Sequence, residues 1–179
     1  MALDIPEALV NLPANCGVFA VWMVLHHHGM NMAITEIAKQ CQHDSQDGTF
    51  TIALAVALKN LGFGVSFYTD DDPDIGVMER KIYHQAKQLN IPVAAALSYQ
   101  QIQNEIAQGK LVIAYYDTLD GEGNQSLIYA IDDQQVYFFD SFEPMSVELF
   151  VQQRKADGIC QQVIVIDDVN VQIHATQIN

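Results

Sequence analysis

The chain has 179 residues, 50% of them hydrophobic and 17% charged, which excludes a disordered or collagen-like protein and predicts one domain around one core. Eight Lys and Arg residues stand against 22 Asp and Glu residues, so the net charge is −14. Such a surface repels nucleic acid and anionic lipid, and any macromolecular partner is expected to be basic.

The first third of the chain is predicted to be helical. Asn15 is a candidate N-cap for a helix that begins at Cys16, is apolar on nearly every side and ends at Gly29. A helix without a polar face is expected to be buried. Two further helices are predicted, at 34–41 and, with Thr49 or Thr51 as its cap, up to about residue 60.

The rest of the chain alternates between strand and helix patterns. Helices are predicted at 76–89, 98–109 and 146–157, and strands at 65–68, 92–97, 111–116, 126–131, 136–140 and 163–166. The fourth and fifth strands have the spacing of a hairpin. Helices first and a largely antiparallel sheet afterwards predict an α+β fold.

Secretion and membrane insertion are not expected. The N-terminal residues lack the basic and apolar regions of a secretory signal, and the longest apolar run, residues 17–25, is too short to cross a bilayer. Cys16, Cys41 and Cys160 fit neither a disulfide framework nor a zinc motif. Reduced cysteines predict a cytoplasmic protein.

Cys16 is a candidate nucleophile because of its place at the start of a helix. The unpaired N–H groups and the helix dipole favour negative charge there, which lowers the pKa of a thiol, and Gly17 leaves room for a substrate carbonyl. A free cysteine is just as often a small buried hydrophobic residue. From the residues alone, both interpretations are open.

Several motifs occur in a fixed order along the chain. Asn15-Cys16-Gly17 opens the first long helix, Asp47-Gly48-Thr49 precedes the third helix, and a strand beginning at Val136 ends at Asp140-Ser141. In this order, over roughly residues 8–166, the chain resembles the C39-type cysteine peptidases. The resemblance implies a papain-like fold, a thiol that acts on peptide or amide substrates, and no cofactor.

The resemblance also implies roles for single residues. Cys16 falls on the nucleophile and Asp140 on the acid that orients the catalytic histidine. The histidine is expected to open the strand 126–131, where Ser126 stands instead. The oxyanion glutamine is expected about six residues before the cysteine, and Asn11 is the carboxamide near that place. Ser126 cannot titrate near neutral pH, so amide hydrolysis is expected to be very slow.

Other histidines and acids are candidates for the catalytic base or for a metal site. The run His26-His27-His28 lies about 15 Å from Cys16 along the helix, and its three side chains point in different directions. The other candidate bases, each more simply a surface residue, are His43, His84 and His174. The acidic loop 70–74 lacks the EF-hand spacing. No metal site is therefore expected.

Three functions stay open at this point. The first is a cysteine peptidase or acyl-transfer enzyme with an altered dyad, and the second is an inactive domain that binds a peptide or protein. The third is a structural domain without a ligand. The domain is expected to span residues 1–166, followed by a C-terminal tail at 167–179.

Overall fold

The computed structural model describes residues 4–141 and 143–167. Its helices are α1 (Glu7–Val10), α2 (Cys16–His27), α3 (Ile34–Gln40), α4 (Thr51–Asn60), α5 (Val77–Gln88), α6 (Tyr99–Ala107) and α7 (Val147–Arg154). Its strands are β1 (Gly64–Thr69), β2 (Val93–Ala95), β3 (Leu111–Asp117), β4 (Gly123–Ile131), β5 (Gln135–Phe138), β6 (Met145–Ser146) and β7 (Val163–Asp167). None of the described helices is long and apolar enough to span a bilayer.

All these strands belong to one sheet, in the order β2-β1-β7-β3-β4-β5-β6. The pairing of β1 with β2 is parallel, and the other neighbouring pairs are antiparallel. The prediction of an α+β fold with a mainly antiparallel sheet is therefore confirmed.

Helices pack on both faces of this sheet. On one face lie α2 and α4, and every residue from Thr51 to Leu58 of α4 is buried. On the other face, Ile102 of α6 and Phe150 of α7 pack against β3, β4 and β5. Strand β3 serves both cores, because Val112 and Ile113 point to opposite faces. The prediction that the helix from Cys16 is buried is confirmed by α2.

Most predicted helix ends are found within one or two residues. Ser98 forms a capping box with Gln101 at the start of α6, and Ser146 accepts a hydrogen bond from the Leu149 N–H at the start of α7. Asn15 stands at the N-cap of α2 but makes no capping bond, because its amide donates instead to the Leu9 carbonyl (2.7 Å).

Two short elements were not predicted from the pattern. They are α1, with four residues, and β6, with two, and neither is long enough to show a hydrophobic period. The cap of α4 also differs from the expectation, since Phe50 holds the N-cap position and Thr51 is the first helical residue. Strand β4 begins at Gly123, three residues before the expected start.

Candidate functional site

Cys16 is the first residue of α2 and lies between two adjoining cavities. Their volumes are about 410 and 660 Å³, and both are lined by Asn15, Cys16 and Asn124. We call this pair of cavities the Cys16 cleft. Asp140 lines the smaller cavity, so Cys16 and Asp140 face the same open space.

The smaller cavity is walled mainly by apolar side chains. Its apolar lining consists of Ile5, Val10, Phe19 and Phe139. Val10 is 62% exposed and Phe139 is 41% exposed, so this cavity presents a contiguous apolar surface to a ligand. The larger cavity is walled mainly by the polar loop at 45–49 and by β3 and β4.

The environment of the Cys16 sulfur favours the protonated thiol. Burial raises the pKa of Cys16, and the negative charge of Asp140 raises it further. Backbone N–H groups of Gln125, Gly17 and Cys16 itself hydrogen-bond towards the sulfur and oppose this rise, but the pKa stays above its ordinary value. The helix terminus thus acts in the predicted direction and is outweighed by burial.

Asp140 follows β5 and is held by two side chains of β4. The Ser126 hydroxyl donates to Asp140 Oδ1, and the Asn124 amide donates to Oδ2 (3.3 Å). The same Asn124 amide also donates to the Tyr116 hydroxyl (2.7 Å). The hydrogen-bond partners of the Asp140 carboxylate are therefore a hydroxyl and a carboxamide.

Asn124 and Ser126 differ in their access to the Cys16 cleft. Both lie on one face of β4, two residues apart, but Asn124 lines both cavities of the Cys16 cleft. Ser126 is 2% exposed and is not among the residues that line the cleft. Of these two residues, Asn124 is therefore the one that shares the cleft with Cys16 and Asp140.

Gln125, between those two residues, points to the opposite face of β4 and towards α2. It is 3% exposed, and its Oε1 accepts hydrogen bonds from the Cys16 thiol (Sγ–Oε1 3.5 Å) and the Thr49 hydroxyl (3.0 Å). Sequence reasoning did not single out this contact. The available signal was a glutamine next to a run of apolar strand residues, where a buried polar group needs specific partners.

Asn11 stays apart from the two cavities. It is exposed, follows α1 as its C-cap, and is not among the residues described as lining the Cys16 cleft. Val10 and Asn15 do line the cleft, and the Asn15 amide donates to the Leu9 carbonyl. The role of Asn11 as an oxyanion donor therefore remains a prediction.

Among the described residues, no histidine lines either cavity of the Cys16 cleft. His26 stacks on Trp22 at the far end of α2, and His84 is exposed on α5. His43 lines a third cavity of about 480 Å³, together with Glu79 and Gln125. His174 lies outside the described residues.

No metal position emerges from the described part of the chain. Within residues 4–141 and 143–167, no group of three His, Cys, Asp or Glu side chains is arranged to hold a metal ion. The groups that line the cleft include a thiol, carboxylates, carboxamides and hydroxyls.

Comparison with known proteins gives a family and a similar structure. The model of the peptidase C39 family matches residues 10–117. No curated protein sequence matches this chain. The match includes Cys16 and ends before Asn124, Ser126 and Asp140.

The crystal structure of the peptidase domain of Streptococcus ComA, a bifunctional ABC transporter involved in a quorum-sensing pathway, is similar in fold. The TM-score is 0.51 and the sequence identity 17%, over 84% of this chain and 89% of that domain. The predicted papain-like fold is therefore confirmed.

Proposed function

Because the chain belongs to the peptidase C39 family, we propose that it is a peptidase-type domain whose Cys16 cleft binds a peptide without hydrolysing it. One observation carries this proposal. Cys16 and Asp140 line one cavity, and the side chain beside them there is the Asn124 carboxamide, which donates to Asp140. We propose that this carboxamide holds the position at which a cysteine peptidase needs an imidazole.

The energetic consequence is large. In a cysteine peptidase, the imidazole removes the thiol proton and then protonates the leaving amine. General acid–base catalysis of this kind contributes about 10²–10⁴-fold to the rate, and Asn124 can do neither step. The raised pKa of Cys16 keeps the thiolate scarce at neutral pH.

The walls of the Cys16 cleft suit an extended peptide. One cavity offers exposed apolar side chains, including Val10 and Phe139, and the other offers polar groups of the 45–49 loop. Peptide ligands use hydrophobic pockets for affinity and polar groups for orientation. Cys16 lies where the two cavities meet.

We further propose that the bound peptide is basic. Asp47 and Glu122 line the larger cavity and Asp140 the smaller one, whereas none of the residues described as lining the cleft is Lys, Arg or His. Charges of one sign in a cleft attract ligands of the opposite sign and give affinity that falls with salt.

Binding is tested with two fluorescent peptide libraries of equal length, one with Lys and Arg at the randomised positions and one with Asp and Glu. Fluorescence polarisation is measured with the full chain at low and high salt, and mass spectrometry follows the integrity of the peptides. We expect the basic library to bind, more weakly at high salt, and to stay intact. Failure of both libraries to bind, or cleavage by the wild-type chain, would contradict the proposal.

Matched charge variants locate the binding. Asp47→Asn and Glu122→Gln each remove one charge from the cleft, and an exposed ion pair is worth about 0.2–1 kcal/mol. We therefore expect each to weaken basic-peptide binding about 1.5- to 5-fold. Asp157→Asn removes an exposed charge that does not line the cleft and should leave binding unchanged. Equal effects of all three would place the peptide elsewhere.

The role of Asn124 is tested by placing an imidazole at its position. Asn124→His should accelerate alkylation of Cys16 by iodoacetamide at neutral pH, because a base beside the thiol increases the thiolate fraction. Asn124→Gln is the matched control, since it keeps a carboxamide. Equal alkylation rates in the two variants would show that a side chain at position 124 does not reach the Cys16 thiol.

An active thiol enzyme is the second candidate. The observation in its favour is that backbone N–H groups of Gln125, Gly17 and Cys16 hydrogen-bond towards the sulfur and stabilise a thiolate. Binding alone does not require such an arrangement. Turnover of an amide or ester by the wild-type chain, abolished in Cys16→Ser, would support this candidate over peptide binding without hydrolysis.

The cytoplasmic location and the domain limits stay predictions. Cys16, Cys41 and Cys160 are all free thiols, as expected for a reducing compartment. The expected domain, residues 1–166, contains all the described helices and nearly all of the sheet, and β7 ends at Asp167. Most of the expected tail, residues 168–179, lies outside the described residues.

A further inference from the structure

The side chain of Gln125 joins α2, the 45–49 loop and α4 beneath the Cys16 cleft. Its Oε1 accepts from the Cys16 thiol (3.5 Å) and the Thr49 hydroxyl (3.0 Å). Its Nε2 donates to the Thr49 carbonyl (2.8 Å) and to the Thr51 hydroxyl (3.0 Å). All four bonds are made by a side chain that is 3% exposed, so water does not compete for them.

These partners determine which way the carboxamide points. The Thr49 carbonyl can only accept a hydrogen bond, so it requires the NH₂ group of Gln125. Rotating the amide by half a turn would set its oxygen against that carbonyl oxygen and leave two buried acceptors facing each other. The Gln125 oxygen is therefore held towards the sulfur of Cys16.

An oxygen in this place distinguishes the two states of the thiol. It accepts a hydrogen bond from S–H, whereas it repels a thiolate, which has no proton to donate. We infer that Gln125 is a positioning residue that holds the Cys16 thiol in its protonated form by presenting a carbonyl oxygen that cannot turn away. The inference rests on the proposed function, since it explains how the same cleft keeps its thiol from attacking a bound peptide.

Other ionisable groups near the sulfur come from the elements packed around it. Among the described residues they are Asp140 after β5, Tyr115 and Tyr116 on β3, and Asp47 and Glu122 in the loops that line the larger cavity. The carboxylates repel a thiolate, so they act in the same direction as Gln125. None of them contacts the sulfur directly through a hydrogen bond described in the structure.

The test measures the ionisation of Cys16 in Gln125→Met. Methionine has a similar length and no carbonyl oxygen, so the preference for S–H is lost while the chain still fills the space. Alkylation by iodoacetamide is followed against pH by mass spectrometry of the Cys16 peptide, with Cys160 as an internal reference. We expect the midpoint for Cys16 to fall by about 0.5–1 pKa unit, the equivalent of one hydrogen bond.

Thr51→Val is the matched control. It removes one of the two acceptors of Nε2 but keeps the Thr49 carbonyl and the Cys16–Gln125 contact, so the midpoint should not move. An unchanged or higher midpoint in Gln125→Met, or an equal fall in Thr51→Val, would overturn the inference.

A second measurement reads the thiol in the wild-type chain, and Cys16→Ser serves only to assign the band. The infrared S–H band of Cys16, identified by its disappearance in Cys16→Ser, should lie at the lower frequency of a hydrogen-bonded thiol. A band at the frequency of a free thiol would overturn the inference. Peptide binding is measured separately. If the infrared and alkylation results are as expected but no peptide binds, only the proposed function is contradicted.

Discussion

At the scale of single residues, Gly17 makes the contact between α2 and Gln125 possible. A Cβ at this position would overlap the Thr49 hydroxyl and approach Gln125 Oε1 to 2.6 Å. The Thr49 hydroxyl and the Gln125 oxygen therefore occupy the space that any larger residue would need. The requirement is for space, since the backbone of Gly17 is helical.

Gly17→Ala is expected to destabilise the chain by about 1–3 kcal/mol, because an added methyl group in a packed site displaces its neighbours. Urea unfolding followed by circular dichroism measures this change. Gly76→Ala is the control, since a Cβ there meets nothing within 4 Å, and we expect a cost below about 1 kcal/mol. A Gly17→Ala variant as stable as the control would mean that Thr49 and Gln125 can move aside.

Two residues of the cleft could be predicted from the sequence. Cys16 follows from its place at the start of an apolar helix and Asp140 from the resemblance to the C39-type peptidases, and both line the cleft. Asn124 and Gln125 could not, because the side to which a strand residue points depends on the register of the strand. Residues 117–125 have the composition of a loop, and only their pairing with β3 extends β4 back to Gly123.

At the scale of secondary structure elements, α5 brings a carboxylate close to the cleft. Glu79 is 8% exposed and lines the third cavity with Tyr115 and Gln125. Burial raises the pKa of Glu79, and the charge of Asp72 raises it further, although a hydrogen bond from the Gln162 side chain opposes the rise. Folding therefore favours the protonated form of Glu79.

Glu79→Gln is expected to stabilise the chain at neutral pH. Since the pKa of Glu79 is higher in the folded than in the unfolded chain, its contribution to stability is complete below the unfolded value of 4.5 and is lost as the pH rises through the folded value. A neutral glutamine avoids this loss. We expect Tm to rise by about 2–4 °C at neutral pH, equivalent to ~1 kcal/mol, and to match the wild type below the unfolded pKa.

The pH dependence separates this effect from a general loss of negative charge. Glu143→Gln removes a carboxylate that is exposed, so its effect on Tm should be small at every pH. An equal rise in both variants would attribute the stabilisation to net charge, and no rise in Glu79→Gln would mean that the carboxylate is well solvated.

The elements themselves were predictable to different degrees. The apolar sequences of α2 and α4 and the serine caps of α6 and α7 are local, and the structure has them where the pattern puts them. Asn15 holds the predicted N-cap position of α2 but makes no side-chain capping bond, and its amide donates to the Leu9 carbonyl of a helix that is itself too short to predict. A contact between two neighbouring elements overrode the local preference.

At the scale of the whole molecule, the excess of acidic residues lowers the stability of the folded state. With 22 Asp and Glu residues and eight Lys and Arg residues, at least 14 carboxylates cannot form a one-to-one ion pair with Lys or Arg. The ion pair of Lys110 with Glu105 (2.6 Å) is partly exposed and so contributes little to stability. Repulsion among the remaining charges opposes the compact state.

Salt should therefore stabilise the chain at neutral pH. The Debye length falls from about 30 Å at 0.01 M to about 10 Å at 0.1 M, which is the range over which charges on one small domain stop repelling each other. We expect Tm, measured by calorimetry in NaCl, to rise mainly within this range, with each ~1 kcal/mol gained giving about 2–4 °C. Salting-out of apolar groups would instead act at much higher concentrations.

Near the isoelectric point of about 4.4, where the net charge vanishes, the rise in Tm should disappear. A Tm that is flat or falling between these salt concentrations at neutral pH would mean that local pairing already compensates the charge. The attraction of the cleft for basic peptides would then have to come from its own acids alone.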